Sequence, residues 1–280
     1  DTLDGSNTAP YTASSDITAT NANTMFVYKY FWDADKKVQS AWSKFTFNNM
    51  QIVSAEAYDS FIYILANEKR NLKLLKIDLR NPNFNSLNFP INIDMQTAIL
   101  SGSYNSGTDK TTFTIPYTHN QTLIAIDATN GADLTIDSQS TTTVVVKGNH
   151  TSCIFGSVFE SLYEFSKPYV REQSATGAVA ITSGRYQIRT LNVDFQDSGF
   201  FKATVLPDGR SLTSYEMTGN VINSASSVVG VPNIASGTFT IPIQSKNTGF
   251  VCKLLSSSHL PCHFISAEIE GFYHRRNRRM

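Results

Sequence analysis

Apolar residues along this chain alternate with polar ones at a spacing of two, the period of a half-buried strand, and no clear helix stands out. From Met25 to Leu79 four such runs follow one another: MFVYKYFWD, SAWSKFTF, SFIYILANE and KLLKIDL. Turn-forming segments such as DADKK and NEKRN bound them. Four short runs predict one four-stranded sheet, either a propeller blade or an ordinary antiparallel meander. A single blade closes no propeller, so the blade reading implies partner blades upstream. Residues 80–95 are rich in Asn and carry Pro82 and Pro90, which predicts a domain boundary.

A second β region is expected from about residue 96 to the end. TTFTIPYT sets Phe113, Ile115 and Tyr117 against Thr114 and Pro116, and GTFTIPIQS sets Phe239, Ile241 and Ile243 against Thr240, Pro242 and Gln244. Proline lacks the ladder donor, so both runs are expected on sheet edges or at bulges. Their shared TFTIP reads as two related edge strands or as chance convergence. Asn130-Gly131 and Asp208-Gly209, each between apolar runs, predict hairpin turns. In GRYQIRTLNVDFQD, Tyr186 and Ile188 fall in one phase and Leu191, Val193 and Phe195 in the other. One strand sends both sets to one face only with a bulge near Arg189-Thr190. The aromatic content of SVFESLYEF favours strand over a turn of helix. The fold class expected is all-β.

Composition narrows the setting. The 280 residues suffice for one large domain or two ordinary ones, and 41% hydrophobic residues supply a core. Charged residues are 16%, against about 25% in an average soluble domain. Ser, Thr and Asn take the place of Lys and Glu, which suits an extracellular or virion protein. With 23 basic and 23 acidic residues the net charge is 0, so the chain as a whole is no polyanion binder. The first 24 residues hold 12 Ser, Thr or Asn and no Lys or Arg. They read as a polar leader or loop, and Asp1 as a cut within a longer protein. Cys153, Cys252 and Cys262 have largely apolar neighbours and read as buried free thiols, with no disulfide framework.

Candidate chemistry concentrates between His259 and Met280. HLPCH offers His259, Cys262 and His263 as zinc ligands, with Cys252 and His274 in reserve. On an extended backbone the adjacent Cys262 and His263 side chains diverge. Pro261 fixes a bend, so the segment reads as a turn before a last strand, and no metal or cofactor is expected. Arg275, Arg276, Arg278 and Arg279 suit phosphate contacts or ion pairs at a subunit interface. Glu268 and Glu270 share one face of a strand, as the paired carboxylates of a glycosidase would. A salt bridge to Arg275 or another Arg is the simpler role. His119 and His150 lie in loop-like segments, without a GxSxG, HExxH or Walker-type motif anywhere in the chain. Asn149-His150-Thr151 is an N-glycosylation sequon.

Longer blocks carry a resemblance. Residues 27–47, VYKYFWDADKKVQSAWSKFTF, resemble a stretch of the tail tubular protein B family, the nozzle proteins of short-tailed (podovirus) bacteriophages. Phe45 stands where the family carries an aromatic, often Trp. YEFSKPYVRE (163–172), GRYQIRTLNVDFQDSGFF (184–201), QSKNTG (244–249) and SSHLPCHFISAEIEGFYHRRNRR (257–279) follow the family's order. On this resemblance Trp32, Trp42, Tyr163, Phe165, Arg171, Gly184, Arg185, Asp197, Gly199, Lys246, Asn247, Gly249, His259, Leu260, Pro261, Cys262, Glu268, Gly271 and Phe272 are structural motif residues. Leu260, Phe264, Ile265, Ile269 and Phe272 would pack the terminal strand.

The resemblance implies a structural subunit without enzymatic activity. It implies a homohexameric nozzle under an adaptor ring, continuing and closing the channel for double-stranded DNA until genome ejection. Tail fibres and, at the distal end, the host envelope are implied partners. Family members are several times longer, so the chain reads as a C-terminal portion: a leader at 1–24, a propeller-like blade at 25–95 and an antiparallel platform-like domain at 96–280. Two other functions fit the residues. One is a module binding host polysaccharide or fibre through Trp32, Trp42 and Tyr273. The other is a polysaccharide hydrolase using Glu268 or Glu270.

Overall fold

The computed structural model describes residues 23–69, 71–80, 87–174, 177–219, 228 and 230–275. The expected leader lies almost wholly outside them, and so do Arg276, Arg278 and Arg279. The described residues form antiparallel strands, turns and coil, without helix, so the chain is all-β. It divides into two compact units, Asp1–Pro82 and Asn83–Met280.

In the first unit β1 (Thr24–Asp33) and β2 (Lys36–Thr46) form a two-stranded ribbon. β3 (Gln51–Tyr58), β4 (Phe61–Glu68) and β5 (Asn71–Asp78) form a separate meander in the order β3-β4-β5. The expected single sheet of four strands is thus five strands in two sheets. The unforeseen strand, QIVSAEAY, is rich in small and polar residues and carries a bulge between Ile52 and Ser54, so its apolar alternation is faint. Ile62, Ile64 and Ala66 of β4 are buried and give this unit its apolar centre.

The second unit opens with eight short strands: β6 (Leu100–Ser101), β7 (Ser103–Asn105), β8 (Lys110–Thr114), β9 (Ile124–Asp127), β10 (Asp133–Leu134), β11 (Ile136–Gln139), β12 (Thr143–Lys147) and β13 (Ser152–Gly156). They make two sheets, β10-β9-β13-β6 and β11-β12-β8-β7. Phe113, Val144, Val146, Cys153 and Phe155 fill the space between. Asn130-Gly131 turns the hairpin between β9 and β10, with Gly131 at φ +77°. Residues 87–93 pack Leu87, Ile91 and Ile93 onto Ile126 and Ile154.

Nine further strands complete it: β14 (Ser161–Glu164), β15 (Arg171–Ser174), β16 (Gly177–Ala180), β17 (Arg185–Ser198), β18 (Phe200–Pro207), β19 (Thr213–Thr218), β20 (Ala235–Lys246), β21 (Phe250–Ser256) and β22 (His263–His274). β15 pairs with β16 alone. Sheets β14-β21-β18-β19 and β20-β17-β22 face each other as a sandwich around Phe201, whose ring lies 5.4 Å from Phe195, 5.3 Å from Phe239 and 5.0 Å from Phe264. SVFESLYEF contributes strand β14, and Asp208-Gly209 turns β18 into β19.

Both Pro predictions meet a test here. Pro242 sits on edge strand β20, opposite Thr190, where the β17 register shifts between Ile188 and Thr190. That shift is the bulge expected near Arg189-Thr190, and it leaves both Ile188 and Leu191 buried. Pro116 differs. β8 is a central strand, and it ends at Thr114 before the proline removes a donor. The two TFTIP copies therefore occupy unlike places.

Candidate functional site

The motif blocks meet in the second unit. At one end of the three-stranded sheet Arg185 stands opposite His274, Tyr186 opposite Tyr273 and Gln187 opposite Lys246. Asn247, just past β20, is buried; its backbone N–H donates to Tyr186 O at 2.9 Å and its Nδ2 to Pro168 O at 2.8 Å. Tyr273 Oη donates to Ser183 O at 2.6 Å. Gly184 has φ +124°, and a Cβ there would stand 2.7 Å from Tyr273 Oη. Four blocks distant in sequence are thus tied by backbone carbonyls, a junction that holds shape and offers no reactive group. Gly249 closes the adjacent turn, its N–H donating to Lys246 O. Tyr163 stacks edge-on against Phe165 at 5.0 Å, with Phe165 packed on the sandwich core. Arg171 and Arg275 are exposed.

HLPCH is a second junction. His259 is buried, its carbonyl accepting from Asn92 N–H at 2.7 Å and its Nε2 lying 2.9 Å from Gly131 O. A carbonyl only accepts, so Nε2 carries the proton and donates. Burial lowers the imidazole pKa from 6.5, opposed by the Gly131 bond and the charge of Asp133. Pro261 O accepts from Gly199 N–H at 2.9 Å, and a Cβ on Gly199 would meet Leu260 at 2.8 Å. Cys262 packs on the sandwich core and burial pushes its thiol up to about 12. These residues knit the two halves of the unit, as a structural turn does. Among the described residues no group of three or more His, Cys, Asp or Glu is placed to hold a metal ion.

The terminal strand corrects an expectation. Ile265, Ile269 and Phe272 are exposed on edge strand β22, whereas Phe264, 38% exposed, keeps its ring 5.0 Å from Phe201 as a packing residue does. Only Leu260, upstream of the strand, is half-buried. Gly271 lets β22 pass close to Gln187 O. Glu270 is held by Arg189 Nη1 at 3.2 Å and by Thr190 Oγ1 at 3.0 Å, the ion pair with "another Arg" that the sequence suggested. Glu268 has no side-chain hydrogen bond or ion pair among the described residues. Among the described residues the placement of the two carboxylates adds nothing to the catalytic reading.

The outer face of the same sheet is a polar ladder that sequence reading missed. Thr240 donates to Asn192 at 2.8 Å, and Thr238 and Ser266 both donate to Asp194 at 2.6 Å. These bonds hold the Asp194 carboxyl below the usual carboxylate range, Ser266 first and Thr238 second. The signal was present, since Asn192 and Asp194 alternate with buried Leu191 and Val193. Asp197, at φ +45°, marks a second irregularity near the end of β17, and Ser236 Oγ accepts its N–H.

On the β1–β2 ribbon Trp42 lies 4.7 Å from Tyr28, and Lys37 reaches the Tyr28 and Trp32 rings. Trp32 and Trp42 are 50% and 70% exposed, too open for core packing within this unit. His119 is buried with Nδ1 at 3.2 Å from Gln121 O, and His150 pairs with Asp127 at 3.2 Å. Asn149 of the sequon is exposed.

Comparison with protein families matches residues 3–280 to the model described as bacteriophage nozzle protein. Comparison with curated proteins gives no match.

Proposed function

The chain belongs to the bacteriophage nozzle protein family, which makes it a structural component of the virion tail, and we propose from that premise that it helps form the wall of the short tail's DNA channel. In this reading copies assemble into a homohexameric ring below the tail adaptor ring. The ring keeps the channel closed and opens it for genome ejection, with double-stranded DNA passing without sequence-specific contacts. The first unit serves as a propeller-like blade and the second as a platform-like domain, with tail fibres and the host envelope as neighbours.

The observation that supports this most is the use of the motif residues. Asn247, Gly184, Tyr273, His259 and Gly199 all serve backbone junctions. Such a chain is built to hold a shape under load rather than to turn over a substrate. The test is to mix the chain, and any longer protein containing it, with adaptor rings of the same phage and image the product by negative stain. Docked rings are expected. Failure of both to dock overturns the reading.

A second reading rests on the exposed Trp32 beside Lys37 and the exposed Trp42 beside Tyr28: a platform on which sugar rings of a host polysaccharide stack. Glycan-array binding that disappears in Trp42→Ala supports it.

A further inference from the structure

The two free edges of sheet β20-β17-β22 are built differently. β20 is blunted. Pro242 brings no N–H to its edge, and Gln244 is left-handed at φ +49° with its carbonyl taken by Arg210 Nη2 at 2.6 Å. β22 carries neither device, and its one bulge lies near its start at Ile265. Its twelve residues, His263–His274, include no Pro, Lys or Arg and no left-handed residue. Ile265 and Phe272 on it are 65% and 59% exposed. A long apolar edge left open in this way is a template for another strand.

The charges on β22 say what kind of strand fits. Among the described residues Glu268 has no ion pair, and Glu270, held by Arg189, lies beside it on the same face. Pairing β22 with its own copy would set carboxylates against each other, which is unfavourable. β5 in the first unit is the complement. It too is an edge strand, with Leu72 65% and Leu74 73% exposed; of its two lysines Lys73 is held by Glu68 within the unit, and Lys76 supplies the positive charge. Two unlike, complementary edges on one chain make a head-to-tail contact, the kind that closes into rings.

We infer that β5 of one copy of this chain adds antiparallel to the free edge of β22 of a neighbouring copy. This deepens the ring reading above and rests on it for the expectation that copies assemble. One register sets most of the strand against complementary residues and leaves Leu74 opposite Glu270. Lys76 faces Glu268, Leu75 faces Ile269, Ile77 faces Ala267 and Leu72 faces Phe272. Both strands are regular over this span, since the bulges of the sheet fall on β17 and at Ile265.

The test uses the chain alone, so its failure is separate from failure to dock on an adaptor ring. Chains carrying Glu268→Cys are mixed with chains carrying Lys76→Cys under mild oxidation and run on a non-reducing gel. Burial pushes the native thiols up to about 12, so the introduced pair reacts first. A cross-linked dimer in the mixture, and little in either sample alone, is the expected result. In parallel, Glu268→Lys and Lys76→Glu should each weaken self-association about tenfold at low salt, and an equal mixture of the two should restore it. No cross-link in the mixture, equal cross-linking of Glu268→Cys alone, or a chain that stays monomeric at every concentration overturns the inference.

Discussion

His259 Nε2 lies 2.9 Å from the carbonyl oxygen of Gly131, a residue 128 positions earlier. The same histidine accepts the Asn92 N–H on its own carbonyl. It joins the sheets of β6–β13 to the sandwich of β14–β22. Removing the ring leaves Gly131 O without its partner inside the protein, which costs about 1–3 kcal/mol. His259→Ala is expected to lower stability by that amount, measured by chemical denaturation at pH 8.

The histidine also fixes a pH dependence. Its folded pKa is lowered from 6.5 by burial, so the neutral ring is the one the fold holds. Its stabilisation is present above 6.5 and is lost as pH falls through the folded value. The midpoint of thermal unfolding of the native chain should fall over that window more than that of His259→Gln. Parallel curves for the two proteins would mean that His259 is not the group titrating.

Gly131 must accept that bond from a left-handed turn. Its φ is +77°, and an added Cβ would stand 2.5 Å from Phe89 Cζ. Strain at a positive φ adds about 1 kcal/mol to the clash, so Gly131→Ala should cost roughly 2–4 kcal/mol. The double variant with His259→Ala should cost less than the sum, because the shifted turn has already spoiled the hydrogen bond. Full additivity in denaturant titrations would separate the two residues.

The hairpins at Asn130-Gly131 and Asp208-Gly209 and the bulge at Arg189 were legible in the sequence because each is a local matter of φ or of phase. The all-β class followed from the same alternation. β3 was not legible, since Ser54, Ala55 and Ala57 give period two too little contrast. Nor was the exposure of Ile265 and Phe272. An apolar side chain in a strand looks the same whether its neighbour strand lies within the chain or outside it. The role of His259 was likewise hidden, because its partner Gly131 is known only once the fold brings them together.

Cys153 and Cys252 are buried, and burial pushes both thiols up to about 12. At pH 8 the thiolate fraction is then on the order of one in ten thousand. An aromatic disulfide reagent should label these two only as fast as the chain opens. Labelling rates should follow denaturant concentration as unfolding does. Rapid labelling of either under native conditions would contradict its burial.

Asp94 makes the opposite case to His259. Its backbone pairs with Ser157 in both directions at 2.8 Å, which fixes the residue where its carboxyl is largely desolvated, and burial raises the pKa from 3.8 to about 6. The folded pKa lies above the unfolded one, so the protonated acid is what the fold prefers. Stability from this group is full below 3.8 and is lost as pH rises through 6. At pH 7.5 the charged carboxylate costs about 2–3 kcal/mol by linkage, with some solvent contact pulling the figure to the lower end. Asp94→Asn should therefore stabilise the chain by about 2 kcal/mol at pH 7.5, and the gain should vanish near pH 4. Below pH 6.5 the two groups act in opposite directions. With the opposing Asp94 contribution removed, the Asn variant should lose more stability on acidification than the native chain does. An equal gain at both pH values in paired urea titrations would show that the substitution works through packing and not through the proton.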